Sequence, residues 1–305
     1  MIVYRELSSL EKDLGVSAKS MYALSNRIHK HYRTVKIPKG NGEYRTLSIP
    51  DKQLKAVQEK IARNILAYEE ISPYATAYHF GGSTLKNADP HVSQPVVMKL
   101  DIRGFFDHCI FPVVKSTAFP AERYSEANRI LLTLLCIYKD ALPQGAPTSP
   151  VISNIVLRDF DNSVGQWCRE RHIHYTRYCD DMTFSGDFDP REVKSMVKSQ
   201  LQIKGFYLNE DKTTVLRSGQ RKEVTGIVVN EKVSVPAPYR RKLRQELYYC
   251  RKFGVEDHLK KSGIDTSLEH YIAGLLGKVN YVLSVQPDNE EFLGYKRWLK
   301  SQIIK

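Results

Sequence analysis

The chain offers little of the chemistry that sulfur and histidine usually carry. Its five cysteines, Cys109, Cys136, Cys168, Cys179 and Cys250, are odd in number and show no CxxC spacing. That pattern leaves no disulfide framework and no structural zinc site to expect. The nine histidines form no HExxH element, which removes the helix-borne zinc hydrolases. No apolar run approaches the ~18 residues that a membrane span needs, and no leader pattern opens the sequence. The expected setting is therefore cytoplasmic and reducing, without a membrane partner. Internal repeats and low-complexity tracts are also missing, so solenoid and disordered architectures drop out.

What is present is a globular composition with a basic excess. The 305 residues are 42% hydrophobic, enough for a full core and one to three subdomains. Lys and Arg total 46 against 34 Asp and Glu, a formal net charge of +12. An excess of that size points to a polyanionic partner such as nucleic acid, or to a basic but merely solvated surface.

The pattern along the chain alternates helix and strand. Residues 1–31 read as short helices burying Leu10, Leu14, Tyr22, Leu24 and Ile28. Two β-rich runs, Arg33–Pro38 and Tyr44–Pro50, flank Lys39–Glu43, whose Gly-Asn-Gly core predicts a hairpin turn. Pro50–Tyr68 reads as a helix with Leu54, Val57, Ile61, Ile65 and Leu66 on one face. Val96–Leu100 is a nearly continuous apolar run, typical of a buried strand, and Asp101 closes it. Helices are expected over 125–138, 151–171 and 190–203, with a turn-rich loop at Pro143–Pro150. Residues 173–186 read as strand, tight turn, strand; 205–216 as loop and strand; 222–235 as a further hairpin. After Pro236 and Pro238 the text is helical to the end, which makes the two prolines a natural boundary. The predicted class is α+β.

Three acidic residues stand out. Asp180 and Asp181 fall at the predicted hairpin tip, and Asp101 ends the apolar strand. An Asp-Asp pair alone is most often just a turn. Here Ile173, Tyr175, Tyr178, Met182 and Phe184 carry strand pattern to both sides. Paired carboxylates on a core-facing hairpin are costly unless cations compensate them. If the two strands are neighbours, the trio would hold paired divalent ions, and such a pair can drive nucleotide addition.

At this point the residues resemble a known family. Tyr178-Cys179-Asp180-Asp181 resembles the YxDD box of reverse transcriptases, and Leu100-Asp101-Ile102-Arg103-Gly104-Phe105-Phe106 resembles their first catalytic box. Pro143–Pro150 is similar to their QGxPxSP box, and Gly205–Thr213 to the lysine-bearing box that follows. Two further elements narrow the likeness to bacterial retron reverse transcriptases: Asn87-Ala88-Asp89-Pro90-His91 matches NAxxH, and Val224-Thr225-Gly226 matches VTG. The resemblance implies a right-hand polymerase. Fingers and N-terminal helices would span 1–95, a palm 96–235 with a fingers insertion within about 110–150, and a helical thumb 236–305.

The resemblance also implies roles. Asp101, Asp180 and Asp181 would be ligands of two Mg²⁺ ions, with Mn²⁺ as a substitute and the Ile102 carbonyl assisting. Phe106 would lie under the sugar and exclude a ribose 2′-OH, so that the substrates are dNTPs, while Phe105 is the better core member. Gln144 and Gly145 would approach the nascent base pair. Lys212 would protonate or neutralise the leaving pyrophosphate, or is simply a solvated lysine. Lys36, Lys39 and Arg45 on the hairpin are candidate triphosphate contacts, Arg45 foremost for its bidentate geometry; the alternative is a charged edge that blocks aggregation. Asn87, His91, Thr225 and Gly226 are candidate RNA or primer contacts. His91 is equally readable as a structural histidine, and Thr225-Gly226 as a bulge.

Tyr239–Phe253 predicts an amphipathic helix that buries Leu243, Leu247 and Cys250. Its other side carries Arg240, Arg241, Arg244, Arg251 and Lys252 with Tyr248, a face suited to a nucleic-acid backbone or to plain solvation. In 269–283 the expected buried set is Ile272, Leu275, Leu276, Val279 and Val282, with Trp298 capping that core.

Retron likeness implies more still. The enzyme would use its own structured non-coding RNA, start DNA from a guanosine 2′-OH in it, and yield a branched RNA–DNA hybrid, multicopy single-stranded DNA. An effector protein and a role in antiphage defence would accompany it, and a host enzyme would remove template RNA. Two alternatives share parts of this text: a group II intron-type maturase, and a catalytically idle RNA scaffold of a defence complex.

Overall fold

A computed structural model describes residues 3–38, 42 and 44–303. In chain order the elements are α1 (Leu7–Leu14), α2 (Ala18–Asn26), β1 (Tyr32–Pro38), β2 (Tyr44–Pro50), α3 (Lys52–Asn64), α4 (Thr84–Ala88), β3 (Val96–Asp101), α5 (Phe105–His108), α6 (Phe111–Thr117) and α7 (Glu126–Cys136). Then come α8 (Ser149–Arg169), β4 (His174–Tyr178), β5 (Asp181–Gly186), α9 (Pro190–Ile203), β6 (Thr214–Leu216), β7 (Glu223–Val224) and β8 (Ile227–Val228). Four helices finish the chain: α10 (Ala237–Phe253), α11 (Val255–Lys261), α12 (Leu268–Val285) and α13 (Glu290–Ile303). The fold is α+β, and the chain divides into two compact units, residues 1–82 with 98–215, and residues 83–97 with 216–305.

The first unit is organised by a four-stranded sheet in the order β4-β5-β3-β6. β4 and β5 form an antiparallel hairpin with Tyr178 opposite Asp181, so only Cys179 and Asp180 make the turn. β3 is taken up next to β5 although β4 and β5 come much later in the chain. Its side chains are buried on both faces at Val96, Val97, Met98 and Leu100, which is why the sequence shows an unbroken apolar run rather than alternation. Long α8 and α9 supply apolar cover: Ile152, Leu157, Phe160 and Val164 from one, Val193, Val197 and Leu201 from the other, in one core with Met182 and Phe184. Local signals set their starts. Pro150 lies in the first turn of α8, and α9 begins on Pro190 behind Asp189, whose carboxylate accepts from the Arg191 N–H.

α3 follows the expected face, with Leu54, Val57 and Ile61 buried and Asp51 capping its start at the Leu54 N–H over 2.9 Å. β1 and β2 pair antiparallel from Tyr32 opposite Pro50 to Pro38 opposite Tyr44. The Gly40-Asn41 turn and Lys39 lie outside the described residues. In α2 the helix turns Met21 and Leu24 inward and leaves Tyr22 39% exposed. A tyrosine tolerates that because its hydroxyl prefers water.

The second unit has its own core, with Leu243, Leu247 and Cys250 of α10 packed among Ile272, Leu275, Val279 and Val282 of α12 and Phe292 and Leu299 of α13. Leu276 is only half-buried at its rim, and Trp298 packs against it. Pro236 and Pro238 lie inside this unit, at the start of α10. A short β7–β8 hairpin turns through Thr225 and Gly226, both at positive φ (+45° and +80°). That geometry belongs to a two-residue hairpin turn, not a bulge. Among the described residues no helix is long and apolar enough to cross a membrane.

Candidate active site

The sheet order brings the three predicted carboxylates together. Oxygen atoms of Asp101, Asp180 and Asp181 all lie within 4.8 Å of one another. The Ile102 N–H donates to the Asp180 carbonyl over 3.0 Å, which ties the end of β3 to the β4–β5 turn. Cys179 sits at φ +60°, a left-handed backbone that non-glycine residues enter only at a cost. The turn is thus bent into a shape that its sequence does not favour.

Asp101 is buried, Asp180 half-buried and Asp181 exposed. Asp101 is held by two groups from the lysine box. Lys212 donates from Nζ to Asp101 Oδ2 over 2.7 Å, and Asn209 donates from Nδ2 to Oδ1 over 3.1 Å. The Asn209 N–H also donates to the Asp101 carbonyl over 2.8 Å. Although the residue as a whole is exposed, protein atoms crowd water away from the Asp181 carboxyl. That loss of solvation, then the neighbouring charges of Asp180 and Asp101, push it up to about 6. The hydrogen bond to Asp101 raises Lys212. An all-oxygen set crowded enough to raise one member fits a hard divalent cation.

The other predicted residues fall as follows. Phe105 is buried, while Phe106, its ring 5.5 Å from that of Phe105, is half-buried. Gln144 accepts from the Ser48 N–H through its carbonyl over 2.8 Å, which joins the Pro143–Pro150 loop to β2. Gly145 has φ +125°, and a Cβ there would lie 2.8 Å from the Ser48 carbonyl oxygen. Only glycine lets the loop approach β2 that closely. Lys36 and Arg45 are exposed on the β1–β2 ladder, one register step apart.

In the second unit Asn87 and His91 are fully buried. Asn87 Nδ2 lies 3.4 Å from Thr225 Oγ1, and Thr225 donates to the Thr84 carbonyl over 3.2 Å. The two short elements, far apart in sequence, therefore pack on each other. On α10, Arg240 donates to the Val235 carbonyl and Arg244 pairs with Glu291 at 2.8 Å. Arg251 lies over the rings of Tyr295 and Trp298. Arg241 is exposed.

Two residues near the carboxylates escaped sequence reasoning. Asn209 was legible in principle, since it stands three places before Lys212 in the same box. Tyr78 was not. It lies at φ +61°, its ring 6.5 Å from that of Tyr178, and its hydroxyl reaches the Cys179 thiol.

A sheet that gathers three carboxylates at a strand end and a hairpin tip, with a lysine alongside, defines the palm of a nucleic-acid polymerase. A profile described as reverse transcriptase (RNA-dependent DNA polymerase) matches residues 37–296. The chain belongs to that family, as an RNA-directed DNA polymerase, and within it to the retron reverse transcriptases. It is 31% identical over 321 residues to the Retron Mx65 reverse transcriptase of Myxococcus xanthus, covering 97% of this chain and 72% of that one. It is 29% identical over 265 residues to the Retron Ec86 reverse transcriptase of Escherichia coli, covering 85% and 82%. Among solved structures, the telomerase of Candida albicans in complex with a telomeric RNA fragment is similar, with a TM-score of 0.50 at 11% identity. The match covers 88% of this chain and 63% of that telomerase chain, and the likeness extends to the fold alone.

Proposed function

We propose that this protein copies its own structured non-coding RNA into DNA, priming from a guanosine 2′-OH to give branched multicopy single-stranded DNA. The observation that carries the reading is the meeting of Asp101, Asp180 and Asp181 within 4.8 Å. These three, with the Ile102 carbonyl, would hold two Mg²⁺ ions, which when bound activate the attacking hydroxyl and stabilise leaving pyrophosphate. Asn209 keeps Asp101 oriented toward them. Lys212, which donates to Asp101 in this structure, would protonate or neutralise the departing pyrophosphate. Phe106 restricts the sugar to deoxyribose, Gln144 and Gly145 border the nascent pair, and Arg45 meets the triphosphate, whereas Lys36, one register step away, lies on the opposite face of the β1–β2 ladder. The assigned parts are fingers over 1–95, palm over 96–235 and thumb over 236–305.

Thr225 and Gly226 would serve the RNA or primer side, with Asn87 and His91, both fully buried, supporting that element from within the core rather than touching RNA. On α10 the exposed Arg241 leads, with Arg240, Arg244 and Arg251 beside it, toward the backbone of RNA or of the RNA–DNA product. The adjacency of Asn87 and Thr225 supports treating the NAxxH and VTG elements as one device. A cytoplasmic setting, an effector protein and a role in antiphage defence complete the reading.

The test is synthesis from the protein's own RNA with dNTPs and Mg²⁺, without added primer. The expected product is DNA that stays joined to RNA until the 2′ branch is cleaved, and that disappears with Asp180→Ala/Asp181→Ala. Extension of added primers only, with no branched product, would sink the 2′-OH reading and leave a general reverse transcriptase.

A further inference from the structure

Arg177 and Asp161 are both fully buried, 0% exposed on each side chain. Arg177 stands on β4, one residue before the catalytic box, and Asp161 stands in the middle of α8. The guanidinium makes a fork on the carboxylate, Nε to Oδ1 at 2.8 Å and Nη2 to Oδ2 at 2.5 Å. Its third direction is used differently: Nη1 donates to the Cys179 carbonyl over 2.7 Å. Tyr175 donates to Asp161 Oδ1 over 2.8 Å, so the carboxylate is itself fixed. The Arg177 backbone is pinned by Tyr74 and Thr76 through bonds of 2.8 Å each.

A buried ion pair is weak grounds for stability, because apolar replacements of both partners are often neutral or better. Something else must account for so complete a network. The Cys179 carbonyl belongs to the peptide that leads into Asp180, and Cys179 holds the unfavoured φ of +60°. A turn under that strain persists only if its surroundings over-determine it. The guanidinium supplies that restraint from beneath, while Ile102 holds the next carbonyl from the side.

We propose that Arg177, locked by Asp161, is a positioning residue that sets the Cys179–Asp180 peptide and thereby the spacing of the carboxylate trio. The role rests on the cation-holding reading of the trio and adds the group that makes its geometry stiff. Lysine cannot replace it, since one ammonium lacks the fork needed to hold Asp161 and the carbonyl together.

The experiment compares wild type, Arg177→Lys and the paired replacement Arg177→Met/Asp161→Leu. Each is measured by thermal melting, by direct Mn²⁺ binding without nucleotide, and by single-turnover extension of a supplied primer. The expected result is a paired variant that folds but melts somewhat below wild type, since the Tyr175 hydroxyl and the Cys179 carbonyl lose their partners. Its Mn²⁺ affinity and extension rate should both be lower by about 10–100-fold, as for residues that orient metal ligands. Arg177→Lys is expected to show the same losses. Recovery of Mn²⁺ affinity and rate to within about threefold in either folded variant overturns the role. Failure of both variants to fold overturns it too, because the pair is then a stability element. Absence of Mn²⁺ binding by wild type is a different outcome: it defeats the cation reading of the trio itself.

Discussion

Lys212 donates to Asp101 over 2.7 Å although the lysine side chain is 60% exposed and the aspartate only 6%. The ammonium therefore reaches in from solvent to a carboxylate that is already buried, and it occupies the oxygen that a cation would need. Two positive species compete for one ligand.

That competition predicts opposite signs for binding and chemistry. Lys212→Ala removes the competitor and a nearby positive charge worth about 1 kcal/mol in water, so Mn²⁺ should bind about fivefold more tightly. The same change removes the group that faces the departing pyrophosphate, and the single-turnover rate should fall by about 10²-fold. Lys212 is raised by its bond to Asp101, which makes it a poor proton donor near neutral pH and favours a charge role. Lys212→Arg should then keep most of the rate. Mn²⁺ titration and rapid-quench extension read the two signs separately.

Asp181 carries a pH signature. Its carboxyl is raised to about 6 by loss of solvation first, then by Asp180 and Asp101. A raised acid binds its proton more tightly in the folded protein than in the unfolded chain. Its contribution to stability is full below about 3.9, the ordinary value, and is lost as pH rises through about 6. Without divalent ions, Asp181→Asn should melt about 1–3 °C higher than wild type at pH 8, and the two should coincide near pH 4. Added Mg²⁺ should raise wild type at pH 8 and leave the variant nearly unmoved. Melting curves at the two pH values, with and without Mg²⁺, check this.

Phe105 and Phe106 are neighbours with different burdens. Phe105 is 3% exposed in the core, so Phe105→Ala should cost about 3–5 kcal/mol and be seen in melting. Phe106 is half-buried. Phe106→Ala should cost less stability but relax sugar choice, raising ribonucleotide use relative to deoxyribonucleotide by about 10–100-fold. Competitive incorporation of dGTP against GTP on one template measures it.

The carboxylate trio was readable because each member carried a local contradiction. Asp101 ended an apolar strand, and Asp180-Asp181 interrupted two strand patterns where a hydrophobic hairpin was due. Helix faces were readable for the same reason, as with Leu54, Val57 and Ile61. What stayed hidden were relationships that depend on three-dimensional approach. Gly145 looked like a residue for a base pair, yet its lack of a Cβ is already required by Ser48. Asn87 and Thr225 gave no hint of touching, since 138 positions separate them. Tyr78 has no pattern at all in the sequence; its place at Cys179 comes from a backbone kink.

The arginines of α10 separate into those engaged within the unit and one, Arg241, whose side chain makes no hydrogen bond, ion pair or ring contact among the described residues. Arg244 pairs with Glu291 and Arg251 stacks on Tyr295 and Trp298, while Arg241 is exposed. Each phosphate contact releases condensed counterion, which appears as a slope in log affinity against log salt. Arg241→Ala should therefore lower that slope by about 0.7–0.9 and weaken RNA binding most at low salt. Arg244→Ala breaks an exposed pair worth about 1 kcal/mol or less, so melting should drop only slightly. If Arg244 is held by Glu291 in the RNA complex as well, its loss leaves the salt slope unchanged. Binding isotherms across a salt series distinguish the two variants, and equal slopes for Arg241→Ala and wild type would remove α10 from the RNA interface.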